Sequence, residues 1–484
     1  MAVLVAVPAV LFLVFTRWGE SLARQLVAAG GIVVLIAFSM MRRKREALLF
    51  GIIGLSQFAI SLHSIEMTPP VVWQVFFIDL LLAGFIWTCI ERSERFRLDS
   101  LAWIWIAYIA WQWLATMSSA HPVRSVLFLS WQIKFFLAYV LALNLRLTPR
   151  IASGITTAVA IVLFTQGAIA IGQFIKGDWI GLSILGEPGV IEAEEYFVDG
   201  GLRIAGTLGS TNTLAGYVAV LTVFLIPFVF VYRKPLMLGG AGAGAVLALL
   251  ALSRAGWLAI LVGASCAAYM LRQNRLVTFS RLLVVGLVVT LAAGTLIAAN
   301  LDRVMNRFQD RQAVSSAMGR ISQYIDSLDV IQKYPVLGIG PGITEFFGRW
   351  NNKRSYVEAK LPGVSMKNMV HGSALQAAVE TGIPGLGLFL LITIVVMLGM
   401  FRSFSIPRRP KEVSILQVGG AAAGIAAFVH TSFGPEMNSH QLMIVCWLLV
   451  GISRSRRYSG ATHEMPPVRT PGGVQGTAGL AAGA

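Results

Sequence analysis

TLAGYVAVLTVFLIPFVFVY, residues 213–232, runs for twenty residues without a charge and is closed by Arg233-Lys234. As a helix rising 1.5 Å per residue, such a run is about 30 Å long, the thickness of the hydrocarbon core of a bilayer. Similar runs recur along the 484-residue chain, near 3–16, 25–40, 48–63, 71–90, 101–118, 125–145, 151–175, 235–252, 255–271, 281–300, 373–401, 414–430 and 440–453. They lack the period-two alternation of barrel strands, so 12–14 transmembrane helices are predicted. Composition agrees, with 56% hydrophobic and 13% charged residues, against about 25% charged in soluble domains. A soluble fold is excluded.

The formal charge of +16 would suggest nucleic acid for a soluble protein, but here the basic residues sit in short loops between spans. With the N-terminus inside, alternate loops carry Arg42-Arg43-Lys44-Arg45, Arg92/Arg95/Arg97, Arg146/Arg150, Arg233/Lys234, Arg272/Arg275/Arg281, Arg402/Arg408/Arg409/Lys411 and Arg454/Arg456/Arg457. All seven fall on one side, which the positive-inside rule assigns to the cytoplasm. Miscounting one span would invert every later loop, so their agreement supports the count. No nucleic-acid partner is expected.

This topology divides the chain into an N-terminal transmembrane region (1–175), an external loop (176–212), a central transmembrane region (213–300), a long external loop (301–372), a C-terminal transmembrane region (373–457) and a cytoplasmic tail (458–484). The Gly/Ala/Pro/Thr-rich tail has no periodicity and is expected to be disordered. The N-terminus lacks a basic leader and a small-residue cleavage site, so it reads as a retained, short first span. Cys89, Cys266 and Cys446 lie in apolar runs without metal-ligand spacing, so neither a disulfide nor a metal site is predicted.

In the long external loop, Ile321, Tyr324, Ile325, Leu328 and Ile331 recur at helical spacing, which predicts an amphipathic helix on the membrane surface. Tyr334-Pro335 and Gly338-Ile339-Gly340-Pro341-Gly342 then read as a turn, since no nucleotide-binding strand and helix flank them. The loop holds ten Lys/Arg against six Asp/Glu, a basic surface suited to an anion.

Three short segments carry candidate chemistry: Gly201-Leu202-Arg203-Ile204-Ala205-Gly206-Thr207 with Asn212; Leu252-Ser253-Arg254-Ala255-Gly256-Trp257; and His371-Gly372-Ser373 with Leu375, Glu380 and Gly382. The topology places Arg203, Arg254 and His371 at the outer face. Two arginines there suit the oxygens of a pyrophosphate, and a histidine can take a proton from a hydroxyl. Thr207, Asn212 and Ser373 are expected to begin helices whose free N–H groups favour an anion. Taken singly, Arg254 reads as an interfacial anchor, Arg203 as a solvated loop charge and His371 as a structural residue. Asp79 and Lys134 lie at similar depth inside their spans, either as a buried ion pair or as part of an ion relay.

The ordered combination Arg203-x-x-Gly206-Thr207…Asn212, Ser253-Arg254-Ala255-Gly256, Tyr334 to Gly342 and His371-Gly372-Ser373-x-Leu375…Glu380-x-Gly382-x-x-Gly385-Leu386 resembles the O-antigen ligase and O-antigen polymerase superfamily of bacterial membrane glycosyltransferases. The resemblance covers roughly residues 200–400. It implies an all-α integral membrane fold of the type C glycosyltransferase kind, in the inner membrane with its active site facing the periplasm. The implied donor is an undecaprenyl-pyrophosphate-linked glycan, and the implied acceptor is a glycan, lipid A-core or protein. Arg203 and Arg254 would hold the pyrophosphate and His371 would be catalytic, with Thr207, Asn212, Arg320, Ser373 and Glu380 in support; no cofactor or metal is implied. Many relatives carry Asn where this chain has Gly372. A membrane transporter of a small anion or lipid-linked glycan is the rival reading, resting on Asp79 and Lys134.

Overall fold

The structure is a computed structural model that describes residues 44–58, 61–67, 71–91, 96–188, 197–198, 201–232, 234–281, 311–347, 354–364, 366, 370–404, 409–434 and 439–456. The expected spans at 3–16 and 25–40, the run past Arg281 and the C-terminal tail lie outside these residues. The described chain is an all-α integral membrane fold. Its helices are α1 (Lys44–Leu55), α2 (Phe77–Glu91), α3 (Ser100–Ala115), α4 (Pro122–Leu143), α5 (Pro149–Lys176), α6 (Thr211–Tyr232), α7 (Pro235–Leu250), α8 (Arg254–Gln273), α9 (Arg311–Lys333), α10 (Arg354–Lys360), α11 (Ser373–Met397), α12 (Lys411–Thr431) and α13 (His440–Arg454). Among the described residues six helices are long and apolar enough to cross a membrane: α4, α5, α6, α8, α12, and α11 with its extension to Phe401.

The boundaries follow from local chemistry. Pro122, Pro149 and Pro235 each open a helix at a position whose N–H has no partner to lose. Thr148 caps α5 by accepting from the Ile151 amide, and Gly177, at φ 67°, ends it. One expectation is corrected. The runs at 48–63 and 71–90 are not two simple helices, because β1 (Ser61–Met67) and β2 (Val71–Phe76) pair as an antiparallel hairpin between α1 and α2. The β-branched and aromatic run Val71-Val72-Trp73-Gln74-Val75-Phe76 after Pro69-Pro70 explains this, since a proline pair cannot sit inside one continuous helix and these side chains favour a pleated strand. A second short hairpin joins β3 (Phe197–Val198) to β4 (Gly201–Leu202).

α6 and α12 form the centre of the bundle, with 83% and 94% of their apolar windows buried, whereas α11 is only 22% buried and faces outward. Packing at the centre depends on small residues. Gly419 of α12 lies so close to α6 that an added Cβ would sit 2.6 Å from the Phe224 carbonyl oxygen, and on its other side Gly420 meets the Leu449 carbonyl of α13. The outward face of α11 is a stripe of Ile383, Leu390, Leu391, Ile394 and Leu398, all exposed as lipid-facing side chains are.

Polar contacts gather the helix ends carrying the described basic loops. The Arg454 Nε lies 2.5 Å from the Asp99 carboxylate, the Ser455 hydroxyl donates to the Leu145 carbonyl at 2.8 Å, and the Phe404 amide donates to the Asn274 side chain at 2.5 Å. The starts of α4, α6, α8 and α11 lie at the opposite end, hereafter the motif end.

Within the bundle the Lys134 Nζ donates to Asp79 Oδ2 at 2.7 Å, and the His440 Nε2 lies 2.8 Å from Asp79 Oδ1. These contacts tie α2, α4 and α13 together. Asp79→Asn removes the shared anion and leaves the lysine without its counter-charge, so a loss of about 2 kcal/mol is expected. Thermal unfolding in detergent checks this, and adding Lys134→Met should recover part of the loss.

Above the motif end, the C-terminal half of α9, the glycine-containing turn, the segment 343–347 and α10 close around Val330, Ile339, Ile343, Phe346, Phe347, Val357 and Leu361. The polar side chains Gln323 and Ser327 of α9 are buried. Its apolar stripe faces out, with Ile321, Tyr324, Ile325 and Leu328 at 58%, 48%, 63% and 55% exposure. That orientation suits a helix resting its apolar face in the headgroup boundary.

Candidate functional site

Arg254 stands at the first position of α8, exposed, behind a tight turn from α7. Leu252 in that turn takes φ 50°, which a branched side chain rarely adopts, and strain of this kind collects at functional sites. Ser253 caps the helix through Gly256, and the Trp257 indole donates to the Ala248 carbonyl at 2.7 Å, fixing the turn from both sides. A cation at a helix N-terminus opposes the helix dipole, so Arg254 and the free N–H groups beside it repel one another until an anion sits between them.

Arg203 arrives at the same turn. Its guanidinium donates to the Ala251 carbonyl at 3.4 Å, three residues before Arg254. The segment carrying it is pinned to α5: the Gly206 amide donates to the Gln173 side chain at 3.1 Å, and the Gln166 amide group donates to the Thr207 hydroxyl at 2.6 Å. The Thr207 hydroxyl in turn donates to the Gln57 carbonyl at 2.7 Å. Thr207 therefore anchors the arginine segment and does not begin a helix. The cap of α6 is Ser210, which accepts from the Thr213 amide at 3.0 Å. Asn212 does lie in the first turn of α6, as expected.

His371 is half-buried just ahead of α11. Ser373 begins α11, as expected, and its hydroxyl donates to the Thr431 carbonyl at 2.6 Å, locking this segment onto the end of α12. Gly372 has φ 98° and ψ 122°, and an added Cβ would sit 2.9 Å from the Ser432 carbonyl oxygen. That backbone is open to glycine and strained for asparagine.

The link between this segment and the arginines is His430, which the sequence reading did not single out. Buried near the end of α12, its Nε2 lies 3.0 Å from the Asn212 carbonyl oxygen, and it also reaches the Ala255 backbone. Its ring occupies space left by Gly216. One imidazole thus holds the starts of α6 and α8 against the helix end that anchors Ser373. A lone histidine in an apolar run was its only signal.

Glu380 anchors the cap over this region. Its carboxylate accepts from the Thr344 hydroxyl and, at 3.2 Å, from Gln376. α11 breaks beside it at Gly382, whose φ of 71° and ψ of −175° are glycine territory. The freed carbonyls of Val379 and Glu380 accept from the Ile339 and Gly340 amides, each at 3.0 Å, and the Ile383 amide donates to Pro335 at 2.8 Å. The glycine-containing turn is therefore a plug seated in a helix break. Arg124 and Glu345 form a buried ion pair on its other side, missed because 221 residues separate them. His121 stacks on Phe346, and burial pushes its imidazole below the ordinary value, with Lys360 and Arg124 adding to the shift. Arg320 is half-buried on α9. Asp79 and Lys134 belong to the triad with His440.

A family model described as O-antigen ligase matches residues 239–390. This supports assignment to the O-antigen ligase and polymerase superfamily. The O-antigen ligase match contains Arg254, the glycine-containing turn, His371 and Glu380, while Arg203, Thr207 and Asn212 precede it. It supports a role in surface polysaccharide biosynthesis and a glycosyltransferase-type activity in a multi-pass membrane protein. No curated protein matches the chain.

Proposed function

We propose that the chain is a membrane glycosyltransferase that transfers or polymerises an undecaprenyl-pyrophosphate-linked oligosaccharide at the periplasmic face of the inner membrane. The observation that carries this reading is the hydrogen bond from Arg203 to the Ala251 carbonyl, which brings both arginines to one turn at the motif end. His430 and Ser373 join the His371 segment to that same end.

In the reaction proposed, an acceptor hydroxyl attacks the anomeric carbon of the donor sugar, and its proton passes to His371. The bond from that carbon to the phosphate oxygen breaks with inversion, and its electron pair leaves with undecaprenyl pyrophosphate. The leaving group is already good, so it chiefly needs positive charge in a fixed place, which Arg203 and Arg254 provide. Lipid-facing side chains on α11 and α9 give a polyprenyl chain an apolar surface beside the site.

Purified protein given undecaprenyl-linked oligosaccharide alone tests the reading. Longer lipid-linked chains indicate polymerisation. No change until lipid A-core or another acceptor is added indicates ligation, and no product with any acceptor overturns the proposal.

A further inference from the structure

At the end of the bundle opposite the motifs, a cavity of about 570 Å³ opens among the start of α3 and the ends of α4, α11 and α13. Four arginines line it, Arg97, Arg402, Arg454 and Arg456, with Asp99 as the one carboxylate among its described lining residues. That carboxylate is committed. Its Oδ1 accepts from the Tyr139 hydroxyl at 2.7 Å and the Ala102 amide at 3.0 Å, and its Oδ2 meets Arg454 at 2.5 Å. Burial raises the Asp99 carboxyl, and Arg454 with the Tyr139 hydroxyl outweighs that and leaves it below its ordinary value.

Of the other three arginines lining the cavity, Arg97 and Arg456 are exposed and Arg402 is half-buried. Among the described residues no hydrogen bond or ion pair holds the side chains of Arg97, Arg402 or Arg456. Arg402 is half-buried, and burial together with the like charges of Arg454 and Arg456 lowers its affinity for a proton. Charges gathered this way repel, and the arrangement is stabilised when an anion enters.

Apolar side chains line the cavity beside the arginines. Leu98 and Leu398 line it with 37% and 55% of their surface exposed, and Leu398 continues the lipid-facing stripe of α11. A ligand that fits therefore has a phosphate head and an acyl body. We propose that this cavity binds an anionic phospholipid of the adjoining leaflet, its phosphodiester among Arg97, Arg402 and Arg456 and its chains along Leu398. Basic pockets between helix ends on the cytoplasmic side are a general mode of lipid headgroup recognition. The site stands apart from the glycan chemistry, so it holds whether or not that reading does.

Thermal unfolding of the purified full chain in detergent, with added phosphatidylglycerol, phosphatidylcholine or inorganic phosphate, tests it. Phosphatidylglycerol is expected to raise the midpoint where phosphatidylcholine and inorganic phosphate do not. Arg97→Gln/Arg402→Gln should weaken the apparent affinity for phosphatidylglycerol by about 25-fold, from about fivefold per arginine at an anionic surface. Arg146→Gln/Arg272→Gln, which removes exposed basic residues outside the cavity, should retain it. An equal shift with phosphatidylcholine, an equal shift with inorganic phosphate, or an equal loss in the second variant would overturn the proposal. The comparison of the three additives on the parental protein decides even if the first variant does not fold.

Discussion

Arg254→Ala, at parental protein levels in the membrane, is expected to slow glycan transfer by about 100-fold or more, the scale of removing one preorganised donor from a developing anion. The side chain is exposed at the start of α8 and makes no hydrogen bond or ion pair among the described residues, so folding should be unchanged. Arg254→Lys keeps the charge and loses the planar fork, and should fall between parent and alanine. Arg203→Ala acts on the same turn, so the double variant should lose less than the product of the two single losses, as residues acting as a unit do. Parental transfer by Arg254→Ala would remove the arginine from the site.

Gly382→Ala is expected to destabilise the cap by roughly 4 kcal/mol, combining backbone strain of about 2 with overpacking of about 2. Its Cβ would overlap the Val336 carbonyl and lie 2.7 Å from that of Pro335, both backbone atoms that cannot swing aside. The plug at Ile339 and Gly340 would be displaced from the break in α11. Limited proteolysis should then cut within 334–347 while the bundle remains intact, and transfer should fall because the helix that begins beside His371 loses the plug seated in its break. Unchanged protease resistance would show that the break does not depend on glycine.

Much of this architecture is legible in the sequence because its physics is local. An uncharged twenty-residue run needs no partner to declare itself, and alternate basic loops order the helix ends. The same reasoning placed Arg203, Arg254 and His371 at one end, where the described contacts also gather them. It failed where the deciding partner is distant. Asn212 gives no hint of His430, 218 residues away, and Arg124 gives none of Glu345. Thr207 has the residue type that begins a helix, yet it spends its hydroxyl on a carbonyl from another part of the chain, whereas Ser373 does begin α11. The hairpin at 61–76 was hidden inside apolar runs, although Pro69-Pro70 and the valine-rich stretch after it carried the signal.

The most direct test of the central claim is the rate at which purified protein releases undecaprenyl pyrophosphate from its lipid-linked oligosaccharide, with acceptor present, for the parent and His371→Ala at equal concentration. With His371 as the base, the variant should be slower by about 100-fold while still binding the donor through Arg203 and Arg254. Release by His371→Ala at the parental rate would contradict the account.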